Sequence, residues 1–126
     1  MKIWIISLVI LFVFLTLGCW TEIYFNNTSQ QLSLDLERIE THITQKKWTH
    51  VFNELESFKK QWTRYKIILS IFVHHQEIDR LEEALTKTIQ AVKSHSYPDS
   101  LIEIGALKHY INHVSQKEVL NFTNVL

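Results

Sequence analysis

Residues 3–20 read IWIISLVILFVFLTLGCW, and none of the eighteen carries a charge. As an α-helix this run is about 27 Å long, close to the ~30 Å hydrocarbon thickness of a bilayer. A helix apolar on every side has no face to turn to water, so lipid or protein must cover it. A chain of 126 residues leaves little protein for that task, and the expectation is one transmembrane helix. Trp4 near one end, and Trp20 with Tyr24 near the other, sit where interfacial aromatic side chains belong.

The run is longer than the apolar core of most cleavable signal peptides and lacks a clear small-x-small cleavage site, so an uncleaved anchor over residues 1–25 is expected. Gly18-Cys19 leaves acylation of Cys19 as an alternative, although Thr16 and Leu17 suit the preceding positions of a lipoprotein signal poorly. Cleavage as a signal peptide is the third alternative. Charge then sets the orientation. Lys2 and the α-amino group precede the run, whereas Glu22, Asp35 and Glu37 follow it, and no basic residue appears before Arg38. The positive-inside rule puts the N-terminus in the cytoplasm and residues 26–126 outside.

Beyond the anchor the pattern is helical throughout. Two Gly and one Pro are poor material for a turn-rich β-fold. Residues 26–29 (Asn-Asn-Thr-Ser) break the apolar pattern and supply N-cap candidates. Leu32, Leu36, Ile39 and Ile43 then mark one stripe of a helix, interrupted at Lys46-Lys47. Trp48, Val51, Phe52, Leu55, Phe58, Trp62 and Tyr65 form the clearest stripe, with Trp48, Phe52, Leu55, Phe58 and Trp62 expected in the core. A third helix is expected from about Lys66 to about Lys93, with Ile67, Ile71, Ile78, Leu81, Leu85, Ile89 and Val92 on one face. Residues 94–100 contain Pro98 and read as a loop. A fourth helix carries Ile104, Leu107, Tyr110, Ile111 and Val114, and Ser115-x-x-Glu118 resembles a capping box opening a last short turn. The fold expected is all-α: one transmembrane helix, then a small antiparallel bundle of about four helices.

Thirteen basic and thirteen acidic residues cancel, so no net field draws the chain to nucleic acid. The sequence lacks a Gly-rich phosphate loop, a G-x-S-x-G elbow, an H-E-x-x-H helix and any thiol outside the apolar run. No enzyme and no cofactor is expected. His109 and His113, four apart, have the spacing for a shared metal ion, but they project away from the apolar face and lack further ligands. They are expected to be exposed and metal-free. His74 falls within the apolar arc of the expected third helix, and His75 stands one turn before Asp79, placed to pair with it.

Residues 67–73 (IILSIFV) are apolar all round, too short to cross a bilayer, and need cover from the bundle or from outside the chain. Leu69, Phe72 and Val73, with His75 and Asp79 beside them, are therefore the candidate partner-binding residues.

Several features in fixed order make the chain resemble a family of short, single-anchor bacterial proteins, domain of unknown function 4363. They are Gly18 and Trp20 closing the apolar run, Trp48 and Trp62 bounding the second stripe, the His75-Gln76-Glu77-Ile78-Asp79 element, and the ending Leu120, Asn124, Val125, Leu126. The resemblance covers nearly the whole chain. It implies a setting in spore-forming Gram-positive bacteria, beside genes for a larger multi-span membrane protein. It implies an accessory subunit of a membrane complex, in the cell membrane or the spore inner membrane, and no activity, cofactor or catalytic residue. The function expected is a non-enzymatic, membrane-tethered module binding a multi-span membrane protein or a second copy of itself. The alternative is an extracytoplasmic metal- or solute-binding sensor using the histidines.

Overall fold

The computed structural model describes the backbone of residues 1–125 and the side chains of residues 1–114. Four helices follow one another: α1 (Lys2–Thr44), α2 (Trp48–Phe72), α3 (His75–Lys93) and α4 (Tyr97–Val125). Each helix packs on its two neighbours in the order α1–α2–α3–α4–α1. This is an antiparallel, up-and-down four-helix bundle with short connections.

The expected break at residues 26–29 does not occur. α1 is one helix of 43 residues, about 64 Å long, and it crosses the expected boundary between anchor and domain without a linker. Its first 23 residues are exposed or half-buried, and burial begins at Phe25. From there Phe25, Ser29, Leu32, Leu36, Ile39 and Ile43 are buried, at alternating spacings of four and three. Asn, Thr and Ser each cost a helix only about 0.5 kcal/mol relative to Ala. Asn26 and Asn27 point to solvent, so their amides meet no apolar surface, while Phe25 and Ser29 start the core seam. Packing overrides the local break.

The other helices repeat the alternation. α2 buries Val51, Leu55, Phe58, Trp62, Tyr65 and Leu69; α3 buries Ile78, Leu81, Leu85, Thr88 and Val92 among others; α4 buries Ser100, Ile104, Leu107, Ile111 and Val114. A 3.5-residue seam on every helix is the pattern of knobs-into-holes packing at shallow crossing angles. Polar contacts on the rim fix the register. Lys108 Nζ donates to Glu40 (2.9 Å) and Ser33 Oγ to Asn112 (3.1 Å) between α1 and α4, and His42 Nδ1 lies 2.9 Å from Glu54 between α1 and α2. Trp62 Nε1 (2.8 Å) and Lys66 Nζ (2.9 Å) both reach Glu82 Oε1 from α2 to α3. Burial pushes the Glu82 carboxyl up. The hydrogen bonds from Lys66 and Trp62, with the charges of Lys66 and Lys59, outweigh burial and hold it below its ordinary value. A lowered carboxylate stabilises the fold above its unfolded pKa, and this contribution fades as pH falls through the folded one.

Three further expectations are corrected. The helix break between the second and third stripes lies at Val73 and His74, both extended (φ −121°, ψ 148°; φ −61°, ψ 141°), not near Lys66. Leu69 and Ile78 are nine positions apart, roughly 180° on a helical projection, so one continuous helix cannot bury both on one side. Ile67 and Ile71, expected on the third stripe, are accordingly exposed at 66% and 75%, and His74 is exposed rather than within an apolar arc. Second, Phe52 is 39% exposed and Trp48 packs only at the edge of the core, because the seam passes through Val51 and Leu55 instead. Third, α4 begins at Tyr97, inside the expected loop, with Ser96 Oγ donating to Asp99 (2.7 Å), and it runs unbroken past residues 115–118 to Val125. The side chains of Ser115 and Glu118 lie outside the described residues.

Trp62 is buried and hydrogen-bonded, whereas Phe52 is neither at the seam nor fully covered. Trp62→Ala is expected to cost roughly 3–5 kcal/mol of stability, and Phe52→Ala about 1 kcal/mol or less. Denaturant titration of the detergent-solubilised chain distinguishes them. Equal losses would place the seam one position away from where the structure has it.

Candidate interaction surface

Two ends of the bundle expose unusual side chains. The α2–α3 corner lies beside Phe25: the Phe25 ring is 5.8 Å from Tyr65 and 5.4 Å from Phe72, edge-on in both cases. The candidate partner-binding residues gather here but separate in role. Leu69 is fully buried in the bundle and is removed from any outer contact surface. Val73 is half-buried against the core. Phe72 is 43% exposed, and His75 and Asp79 are exposed. Among the described residues no hydrogen bond or ion pair joins His75 to Asp79.

The opposite end was not visible as a site in the sequence. α1 and α3 both finish there, and both finish in the same way. After α1, the Lys47 N–H donates to the His42 carbonyl (3.0 Å) and the Lys46 N–H to that of Ile43 (2.9 Å). After α3, the Ser96 N–H donates to Ala91 (3.0 Å) and the His95 N–H to Val92 (3.0 Å). These paired bonds are Schellman closures, which need a left-handed residue and are usually built with Gly. Here the left-handed positions are Lys46 (φ 57°) and His95 (φ 52°). They are the only two non-glycine residues with positive φ among the described residues. An L side chain in that region costs roughly 1–2 kcal/mol.

The His95 ring stacks on Trp48 at 5.3 Å and 19°, and Lys46 Nζ lies 5.5 Å above the Tyr97 ring. Between the two closures and the start of α2 is an open groove of about 750 Å³. Lys46, Lys47, Lys93, His50 and His95 line it with Trp48 and Phe52, and its walls contain no Asp or Glu. Part of this charge answers the C-terminal carbonyls of α1 and α3, which favour cations. That explains neither the exposed Phe52 ring nor the choice of Lys and His over Gly. The groove suits an acidic segment that also carries apolar side chains.

The model of the family described as a domain of unknown function (DUF4363) matches residues 19–125. The chain belongs to that family. The resemblance read from the sequence is thereby borne out, and the DUF4363 match takes in the end of the apolar run together with the whole bundle. No curated protein and no solved structure matches the chain.

The remaining sequence candidates are simply placed. His109 is exposed, His113 half-buried, and their rings stack at 6.1 Å and 15°. Among the described residues no three His, Cys, Asp or Glu side chains come together as a metal site. Cys19 is exposed on α1.

If Lys46 and His95 are kept for the groove rather than for stability, glycine is the more stable choice at both positions. Lys46→Gly and His95→Gly are each expected to raise the unfolding free energy of this DUF4363 chain by up to about 1 kcal/mol, the left-handed penalty less the lost ring contact. Thermal midpoints in detergent measure it. Midpoints that fall would show that the two ring contacts outweigh the backbone strain.

Proposed function

We propose that this DUF4363 chain is a non-enzymatic, membrane-anchored helical module that associates with another integral membrane protein. In this reading α1 crosses the bilayer once through residues 3–20, with the N-terminus in the cytoplasm and the bundle outside. Length and composition support the crossing: α1 is long and apolar enough, and its most apolar window is not buried against protein. The charges of Lys2, Glu22, Asp35 and Glu37 support the orientation.

The continuity of α1 carries the proposal. A flexible linker would let the bundle wander, whereas one helix from the span into the core makes it a rigid post. Lys46 stands 26 positions beyond Trp20, so the groove is held about 39 Å above the end of the span. A partner reaching it needs an outer loop or domain of that height, and a multi-span protein in the same membrane meets it at high effective concentration. The groove offers cations and rings for binding and no carboxylate or thiol to work with its histidines, which supports an interaction role over catalysis.

A photo-crosslinking amino acid at Phe52, in the full chain in its own membrane, tests the association. One discrete membrane-protein adduct is expected, lost when Lys46 and Lys47 are both changed to Glu while the chain still inserts and keeps its helical content. An adduct with a second copy of the chain would make the partner a homo-oligomer. No adduct from correctly inserted protein would overturn the groove as the contact.

A further inference from the structure

Outside the apolar half of α1, six large apolar side chains are exposed among the described residues: Leu34, Phe52, Ile67, Ile71, Phe72 and Ile102. Three of them, Ile67, Ile71 and Phe72, share the last turns of α2. Their height follows from α1. Phe72 lies against Phe25, five positions beyond Trp20, which is about 7.5 Å along the helix axis. The headgroup layer on each side of a bilayer is about 5–7 Å thick. The corner therefore stands at the outer edge of that layer, within reach of the lipid headgroups. Between the end of the span and the corner, Trp20 and Tyr24 stack at 6.2 Å, the amphipathic ring pair expected at the water–lipid boundary.

We infer that the α2–α3 corner is a second contact with the phospholipid bilayer, in which Ile71 and Phe72 enter the headgroup–acyl boundary beside the anchor and Ile67 marks its outer edge. This rests on the reading of α1 as a membrane span. It accounts for an apolar helix end that buries Leu69 while Ile67, Ile71 and part of Phe72 stay exposed. It also explains why the corner needs no tight polar turn: Val73 and His74 simply extend, and the exposed His74 and His75 remain at headgroup level. With two points on the lipid, α1 and the corner, the bundle is held against swinging about the anchor.

Depth-dependent quenching tests this with the full chain in phosphatidylcholine vesicles. Single cysteines replace Ile71, Phe12 or Ile102 in a Cys19→Ser background and carry one fluorophore. Ile102 is 66% exposed but lies one turn past Tyr97, at the far end of the bundle, and serves as the aqueous control. Shallow nitroxide lipids should quench the label at position 71 several-fold more than at 102, and iodide should do the reverse. Quenching of 71 by iodide to the level of 102, with 12 still quenched by lipid, would overturn the corner contact and leave the anchor standing. A label at 71 shielded from both quenchers would mean that protein covers the corner, and would also overturn it. Failure of lipid to quench even position 12 would overturn the anchoring itself. Ile67→Cys repeats the test should position 71 disturb helical content, which circular dichroism reports.

Discussion

In the proposed reading, one backbone helix serves two solvents, lipid along residues 3–20 and water around the bundle. Up to Ile23 no side chain of α1 is buried; from Phe25 to Ile43 one side of the helix is sealed into a bundle. A break between the two regimes would leave the last carbonyls of one helix and the first amides of the next without partners at the membrane surface. Continuity avoids that cost, and the heptad seam starting at Phe25 makes it possible. The height of the bundle, the position of the α2–α3 corner and the elevation of the groove all follow from this one joint.

The two ends of the bundle are built on different terms. At the anchor end α2 stops in an extended dipeptide after an apolar turn, and the side chains left outside are Ile and Phe. At the far end two Schellman closures place Lys and His in left-handed backbone, and the side chains outside are cations and rings. A bundle optimised for stability alone would have exposed polar residues at the first and glycine at the second. In the proposed reading one end meets lipid and the other an acidic, partly apolar protein surface.

Much of the architecture was legible in the sequence because apolar spacing dictates it. The Leu32–Leu36–Ile39–Ile43 and Leu55–Phe58–Trp62–Tyr65 series each identify a buried face without tertiary information. The breaks were less legible. Asn26-Asn27-Thr28-Ser29 looks like a helix start because its residues cap well, yet capping is worth about 1 kcal/mol and the seam through Phe25 and Ser29 outweighs it. The α2–α3 break has neither Gly nor Pro. Its only trace is the half-turn mismatch in phase between Leu69 and Ile78, which an alternative phase through Ile67 and Ile71 conceals. The groove was invisible for a different reason: Lys46 and His95 are far apart in sequence, and no local pattern announces that a lysine or a histidine will take left-handed backbone.

The rigid joint is tested most directly by a distance across it. Nitroxides on Cys19 and on Glu37→Cys lie on the same face of α1, eighteen positions apart, and bracket residues 26–29. In lipid nanodiscs, pulsed electron–electron resonance on the full chain should give one narrow distribution near about 27 Å, the rise of an unbroken helix. A broad distribution, or one centred well below that distance, would mean that the anchor hinges at Asn26-Asn27 and that the bundle is tethered rather than held.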